Sequence, residues 1–122
     1  MQIDRVYEIA IPVRDLPRAE KFYREVLGFE VGLRDERRPW VFLRIGGSGG
    51  MIVLQETPAE FAPLHFAFTV ARDVIGALAQ ELKTRGVAAS GPHFHAWMPA
   101  QSVYFADPDG HALELCAPGE AP

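Results

Sequence analysis

Cysteine is all but missing. Cys116 stands alone in 122 residues, so no internal disulfide can form, and a reducing compartment is the expectation. Positive charge is not in excess either. Twelve Lys and Arg against sixteen Asp and Glu leave a net charge of −4, without the basic footprint that a nucleic-acid partner needs. No apolar run approaches the length that spans a bilayer. The opening MQIDRVYEIAIPV has no basic segment, apolar core and cleavage site in series, as a secretory leader would. These absences predict a cytoplasmic protein with neither a membrane nor a nucleic acid as partner. What is present is ordinary for a folded domain: 48% hydrophobic and 23% charged residues, too apolar for disorder. The length suits one domain over 1–122 with a real core.

The chain repeats itself. EIAIPVRD at 8–15 returns as HFAFTVARD at 65–73, with Glu8 replaced by His65 and one extra residue before the Arg-Asp pair. Each copy runs into a helical pattern. DLPRAEKFYREVLG starts at Asp15, a suitable N-cap, with Pro17 in the first turn and Gly28 as the stop. DVIGALAQELKTRG starts at Asp73 and stops at Gly86, with Val74, Ile75, Leu78 and Leu82 on one side. After the first helix come FEVGLRD, WVFLRIG and MIVLQE; after the second, a weak VAAS, then SVYFAD and ALELCA. The unit is strand, helix and three strands, written twice: module 1 about 3–57 and module 2 about 63–118. A preserved cap, stop and preceding strand mark an internal duplication. DPDG at 107–110 reads as a type I turn, and GGSGG at 46–50 as a hairpin tip without the Lys and following helix of a phosphate loop.

Alternation along the strands sorts their faces. Ile9, Ile11 and Val13 share one face, as do Phe66, Phe68 and Val70, and these pack toward the helices. The opposite faces are small except at their first positions, Glu8 and His65, which suggests a pocket floor. In HALELC, Leu113 and Leu115 face the helix, leaving Ala112, Glu114 and Cys116 on the other side. A carboxylate between two leucines needs a partner, because burying it unpaired is costly. The matching strand MIVLQE puts Val53 nearest the counterpart of Glu114, with Gln55 one step along.

The repeated plan, the openings EIAIPVRDLPRAEKFYREVLGFEV and HFAFTVARD, and the ending VYFADPDGHALEL resemble the vicinal oxygen chelate superfamily of glyoxalase, bleomycin-resistance and extradiol-dioxygenase proteins. The resemblance covers nearly the whole chain. It implies an α+β fold in which two βαβββ modules form a curved mixed sheet around a metal-centred cleft, completed by or repeated across a homodimer. It places metal ligands at Glu8, His65 and Glu114, with Val53 or Gln55 at the fourth position. Glu8 departs from the more usual His or Gln, and Val53 cannot bind metal. One nitrogen and two carboxylates suit a divalent ion such as Mn, Mg, Fe, Ni or Zn.

Taken singly, Glu8 also reads as a strand carboxylate paired with an Arg, and His65 as a hydrogen-bonded structural His. Loss of the metal with retention of the fold is the rival to the three together. Trp40, Phe42 and Arg44 alternate along one strand face, and Tyr104 lies on another; with Gln55 and Trp97 they are candidates for binding a small-molecule substrate. His93 and His95 are expected on an exposed loop, or on a lid that brings Trp97 or Phe94 to substrate. His111 reads as a surface residue and Cys116 as a small packing residue.

Three classes of function fit. The first is a metal-dependent lyase or isomerase, in which Glu8 or Glu114 removes a proton beside a carbonyl. An extradiol dioxygenase or a metal-dependent thiol transferase is a less fitting variant, since Glu8 breaks the two-His, one-carboxylate pattern of the former. The second class is a metal-free protein that sequesters a drug, its glutamates attracting a cationic aromatic ligand. The third is a dimerisation module that binds neither metal nor small molecules.

Overall fold

The structure, a computed structural model, describes residues 1–47 and 49–121. Ser48, at the middle of the GGSGG tip, lies outside the described residues. The chain divides into two units, Met1–Ala62 and Pro63–Pro122.

Unit 1 runs β1 (Glu8–Val13), α1 (Leu16–Glu25), β2 (Glu30–Arg34), β3 (Trp40–Arg44) and β4 (Met51–Glu56). Its sheet has the order β1-β4-β3-β2, with β1 parallel to β4 and the other pairs antiparallel. A parallel first pair requires a crossover, and α1 is its principal element. Asp15 caps the helix by accepting from the Arg18 N–H at 3.0 Å, while Glu56 on β4 accepts from the Leu16 N–H at 3.0 Å. Gly28, at φ +76, ends the helical segment in the left-handed region. The helix buries Ala19 and Tyr23 against Ile11, Val13, Val41, Leu43, Ile52 and Leu54, all of which are buried. Ile9, expected to share that core face, is 42% exposed, because the packed part of β1 begins only at Ile11. On the outer side of α1, Glu20 pairs with Arg24 and Arg34. The Arg34 hydrogen bond is the main reason its carboxyl is held below the usual range.

Unit 2 repeats the plan: β5 (His65–Thr69), α2 (Ile75–Thr84), β6 (Ser90–His95), β7 (Ala100–Ala106) and β8 (Ala112–Pro118), in the order β5-β8-β7-β6. Again the first pair is parallel and the rest antiparallel. The α+β class and the doubled βαβββ plan both stand.

Two local expectations change here. Asp73 does not cap α2. The extra residue of VARD is taken up in a turn, in which the Val74 N–H meets the Ala71 carbonyl at 3.3 Å, and the N-cap passes to Val74 without a side-chain bond. Val74 is consequently 39% exposed rather than packed, and Ile75, Ala79 and Leu82 are the buried positions of α2. The strand after α2 is also not VAAS. It starts at Ser90 and carries His93 and His95 within it, so neither sits on a free loop. A register shift between Ser90 and His93 keeps it paired with β7. Gly91 lies in that shift at φ +120, and a Cβ there would stand 2.5 Å from the Ser102 carbonyl oxygen, so glycine is required.

Candidate functional site

In unit 2 the open face of the sheet, opposite Leu113 and Leu115, gathers polar side chains. Register partners share a face, so the strand pairing defines rows across it. One row is Ala67, Glu114, Tyr104 and Ser90, and the next is Thr69, Cys116, Ser102 and His93. His65 opens β5 beside Ala112. Glu114 is only 6% exposed, yet both carboxylate oxygens are engaged. Oε2 accepts from the Ser102 hydroxyl at 2.7 Å, and Ser102 itself is fully buried. Oε1 lies 3.2 Å from Nε2 of His65.

The other nitrogen of His65 determines what that contact means. Nδ1 stands 3.2 Å from the Ala112 carbonyl, which can only accept. With the Nδ1 proton directed there, Nε2 aims a lone pair at a carboxylate oxygen. Such a pair needs a proton or a cation between its members. Donors about 2.0–2.2 Å from a shared ion lie about 3.0–3.5 Å from one another. The pair therefore fits two adjacent ligands of a divalent cation, with Ala112 and Ser102 orienting them. Among the described residues, no group of three or more His, Cys, Asp or Glu side chains able to hold a metal ion is present.

The remaining expected residues distribute as follows. Glu8 opens β1 in unit 1, exposed, with Met51 as its register partner. Its carboxylate makes no hydrogen bond or ion pair among the described residues. Val53, in the row Ala10, Val53 and Phe42, occupies the position in unit 1 that Glu114 occupies in unit 2. Gln55 is half-buried between Pro12 and Trp40 in register. Trp40 is covered by the Arg38 guanidinium, 3.8 Å above its ring, while Phe42 and Arg44 border one hollow of unit 1. Tyr104 bonds through its hydroxyl to Nε2 of His95 at 2.7 Å and stacks on His93, which in turn bonds Ser90 at 2.7 Å. Trp97 is 80% exposed in the turn after β6, with His95 as its ring neighbour at 6.1 Å.

Sequence reasoning missed Ser102 and misplaced His111. Ser102 was detectable as a small hydroxyl on the same face of SVYFAD as Tyr104, but its diagonal reach to Glu114 depends on strand register. His111 is fully buried, not superficial: Asp107 accepts from its backbone N–H, and its Nδ1 accepts from the Leu64 N–H at 2.9 Å.

Among the described residues no helix is long and apolar enough to cross a membrane. Residues 5–115 match the model of the Glyoxalase/Bleomycin resistance protein/Dioxygenase superfamily. Glutathione transferase FosA of Serratia marcescens is 31% identical over 119 residues, spanning 88% of this chain and 76% of that protein. An integron cassette protein from the mobile metagenome of the Halifax Harbour sewage outfall superposes with a TM-score of 0.89. It is 45% identical and covers 94% of this chain and 99% of its own. TnmS3, an antibiotic binding protein from Streptomyces sp. CB03234, superposes at 0.83 with 27% identity, covering 98% of this chain and 99% of its own. The matched span, the doubled βαβββ plan and these likenesses agree, and the chain belongs to the glyoxalase/bleomycin resistance protein/dioxygenase superfamily.

Proposed function

We propose that the protein is a divalent-metal-dependent lyase or isomerase, acting on a small substrate with two neighbouring oxygens by removing a proton beside a carbonyl. One observation carries this reading: Nε2 of His65 faces Oε1 of Glu114 at 3.2 Å, while Ala112 and Ser102 engage the outward atoms of each. Catalytic metal sites commonly draw three ligands from protein. The register counterpart of His65 in the repeated plan is Glu8, and in this reading Glu8 of a second copy supplies the third ligand in a homodimer. A bound divalent ion would supply Lewis-acid polarisation of the substrate oxygens.

The two carboxylates then divide the work. Glu114 is buried and committed to two partners, so it holds its position. Glu8 is exposed and uncommitted, so it is the group able to move and take the proton. The C–H bond breaks, its electron pair enters the substrate enolate, and Glu8 returns the proton at the neighbouring carbon.

Elemental analysis of protein purified without chelator or tag should find about one divalent ion per chain. Glu114→Ala and His65→Ala should each weaken metal binding by more than about a hundredfold. Mixing Glu8→Ala with His65→Ala subunits should restore one intact site per mixed dimer. Metal-reconstituted protein should exchange solvent protons into hydroxy-ketones or 2-oxo acids, and Glu8→Gln should abolish it. A protein that binds no Mn, Ni or Zn would end this reading.

One observation favours a second reading. The same 3.2 Å contact also describes an imidazolium–carboxylate pair, with no ion required. The protein would then be a metal-free sequestering protein of the antibiotic-binding kind, and it would bind a cationic aromatic drug in the presence of chelator.

A further inference from the structure

The open face of unit 1 carries an arginine whose side chain has no partner among the described residues. Arg44 is exposed at the end of β3, and its guanidinium makes no hydrogen bond or ion pair among the described residues. Glu30 is its register neighbour on β2, yet forms no ion pair with it there. Space has been cleared for the arginine stem. Gly32 lies in the β2 bulge, where a Cβ would meet Arg44 Cγ at 3.3 Å and Met51 Sδ at 3.4 Å. Leu33 and Phe42, paired in register, lie alongside on the same face. Tyr7 closes one side. Its carbonyl accepts from the Met51 N–H at 3.0 Å, and Gly50, at φ +89, admits that backbone where a Cβ would stand 3.0 Å from the same oxygen. The result is a hollow of about 370 Å³, apolar on its floor and cationic at its edge. That is near the lower end of small-molecule sites.

We propose that this hollow holds a small amphipathic anion, its carboxylate, phosphate or phosphonate oxygens on Arg44 and its apolar body over Phe42 and Met51. The guanidinium fork matches either kind of oxyanion in a two-point contact. The same face leads to Glu8, because Met51 pairs with Arg44 on one side and Glu8 on the other. Two strand spacings, roughly 10 Å, separate the backbones of Glu8 and Arg44. The substrate class follows: a molecule whose anionic end lies about that far from the carbon that loses its proton. This last step rests on Glu8 acting as proposed above; the anion site itself does not.

The test uses metal-free protein and three probes, phenylacetate, phenylphosphonate and neutral phenylacetamide, followed by ligand-observed NMR and calorimetry. At least one anion should bind tenfold or more tightly than the amide. Arg44→Met should erase that advantage and Arg44→Lys should keep part of it. Phe42→Ala should weaken all three probes alike. The tighter anion identifies carboxylate or phosphonate as the preferred group. Absence of anion preference, or equal anion binding by wild type and Arg44→Met, overturns the assignment. His65→Ala should lose metal but keep anion binding, and Arg44→Met should do the reverse, so failure of one reading is distinguishable from failure of the other.

Discussion

The two units share a backbone plan and a strand register, yet their open faces have opposite chemistry. Where unit 2 has Glu114, unit 1 has Val53; where unit 2 has Ser102, unit 1 has Trp40; where unit 2 has Ala106, unit 1 has Arg44. His65 and Glu114 therefore sit on one copy, and Arg44 with the larger apolar side chains on the other. Duplication supplies two equivalent scaffolds, and substitution on a single face of each gives them different side chains: His65, Glu114 and Ser102 on one, Phe42 and Arg44 on the other. The core-facing positions are under a different constraint. Leu113 and Leu115 correspond to Ile52 and Leu54, and all four are buried and aliphatic. Packing keeps the inner faces alike while the outer ones diverge.

The largest effect should come from forcing unit 1 to imitate unit 2. Val53→Glu places a carboxylate at a site only 2% exposed, with Trp40 where the Ser102 hydroxyl would be needed. Urea unfolding should show a loss of about 3–5 kcal/mol, as for an uncompensated buried charge. A loss below about 1 kcal/mol would mean that a partner hydroxyl is not what makes Glu114 tolerable. Next is the reverse change in unit 2. Ser102→Ala frees Oε2 of Glu114, and metal affinity by calorimetry should fall about tenfold to a hundredfold.

Smaller still is the difference between helix starts. Asp15→Ala should cost about 1 kcal/mol in thermal or urea unfolding, because Asp15 caps α1. Asp73→Ala should cost no more than a few tenths, because α2 has no side-chain cap at its start. The least effect concerns acid. The Glu20 carboxyl lies below its unfolded value, so its contribution is fully present above the ordinary carboxylate range and is lost as pH falls through the depressed folded value. Arg34→Met should reduce the stability lost on acidification, read from unfolding curves at successive pH values.

The repeat was legible because the features that carry it are local. Gly28 and Gly86, at φ +76 and +81, end their helical segments where the pattern put them. Strand alternation also separated Glu114 from its flanking leucines, because side chains alternate wherever a strand stays regular. The errors cluster where regularity fails. The inserted residue before Asp73 created a turn that displaced the cap, and no periodicity reports on such a turn. His93 and His95 were expected beyond a weak VAAS strand on a loop or lid, whereas the bulge at Gly91 lets β6 run from Ser90 to both of them. His111 followed a turn and looked superficial, although Asp107 draws its backbone inward. Of the proposed site, the contact between His65 and Glu114 joins residues on adjacent strands in register two apart, something only pairing can reveal.

The buried His111 has a consequence for its neighbours. Leu64 donates to it, and the Ala112 N–H donates back to Leu64 at 2.8 Å, so the first residues of β5 and β8 are clamped together immediately before His65. The loop from Asp107 to His111 closes the other end of the clamp. The imidazole thus hangs from a fastened hinge rather than a fraying strand end. A newcomer to that face finds its first donor already aimed, little motion is frozen on arrival, and the strength of attachment reports the donors' own chemistry.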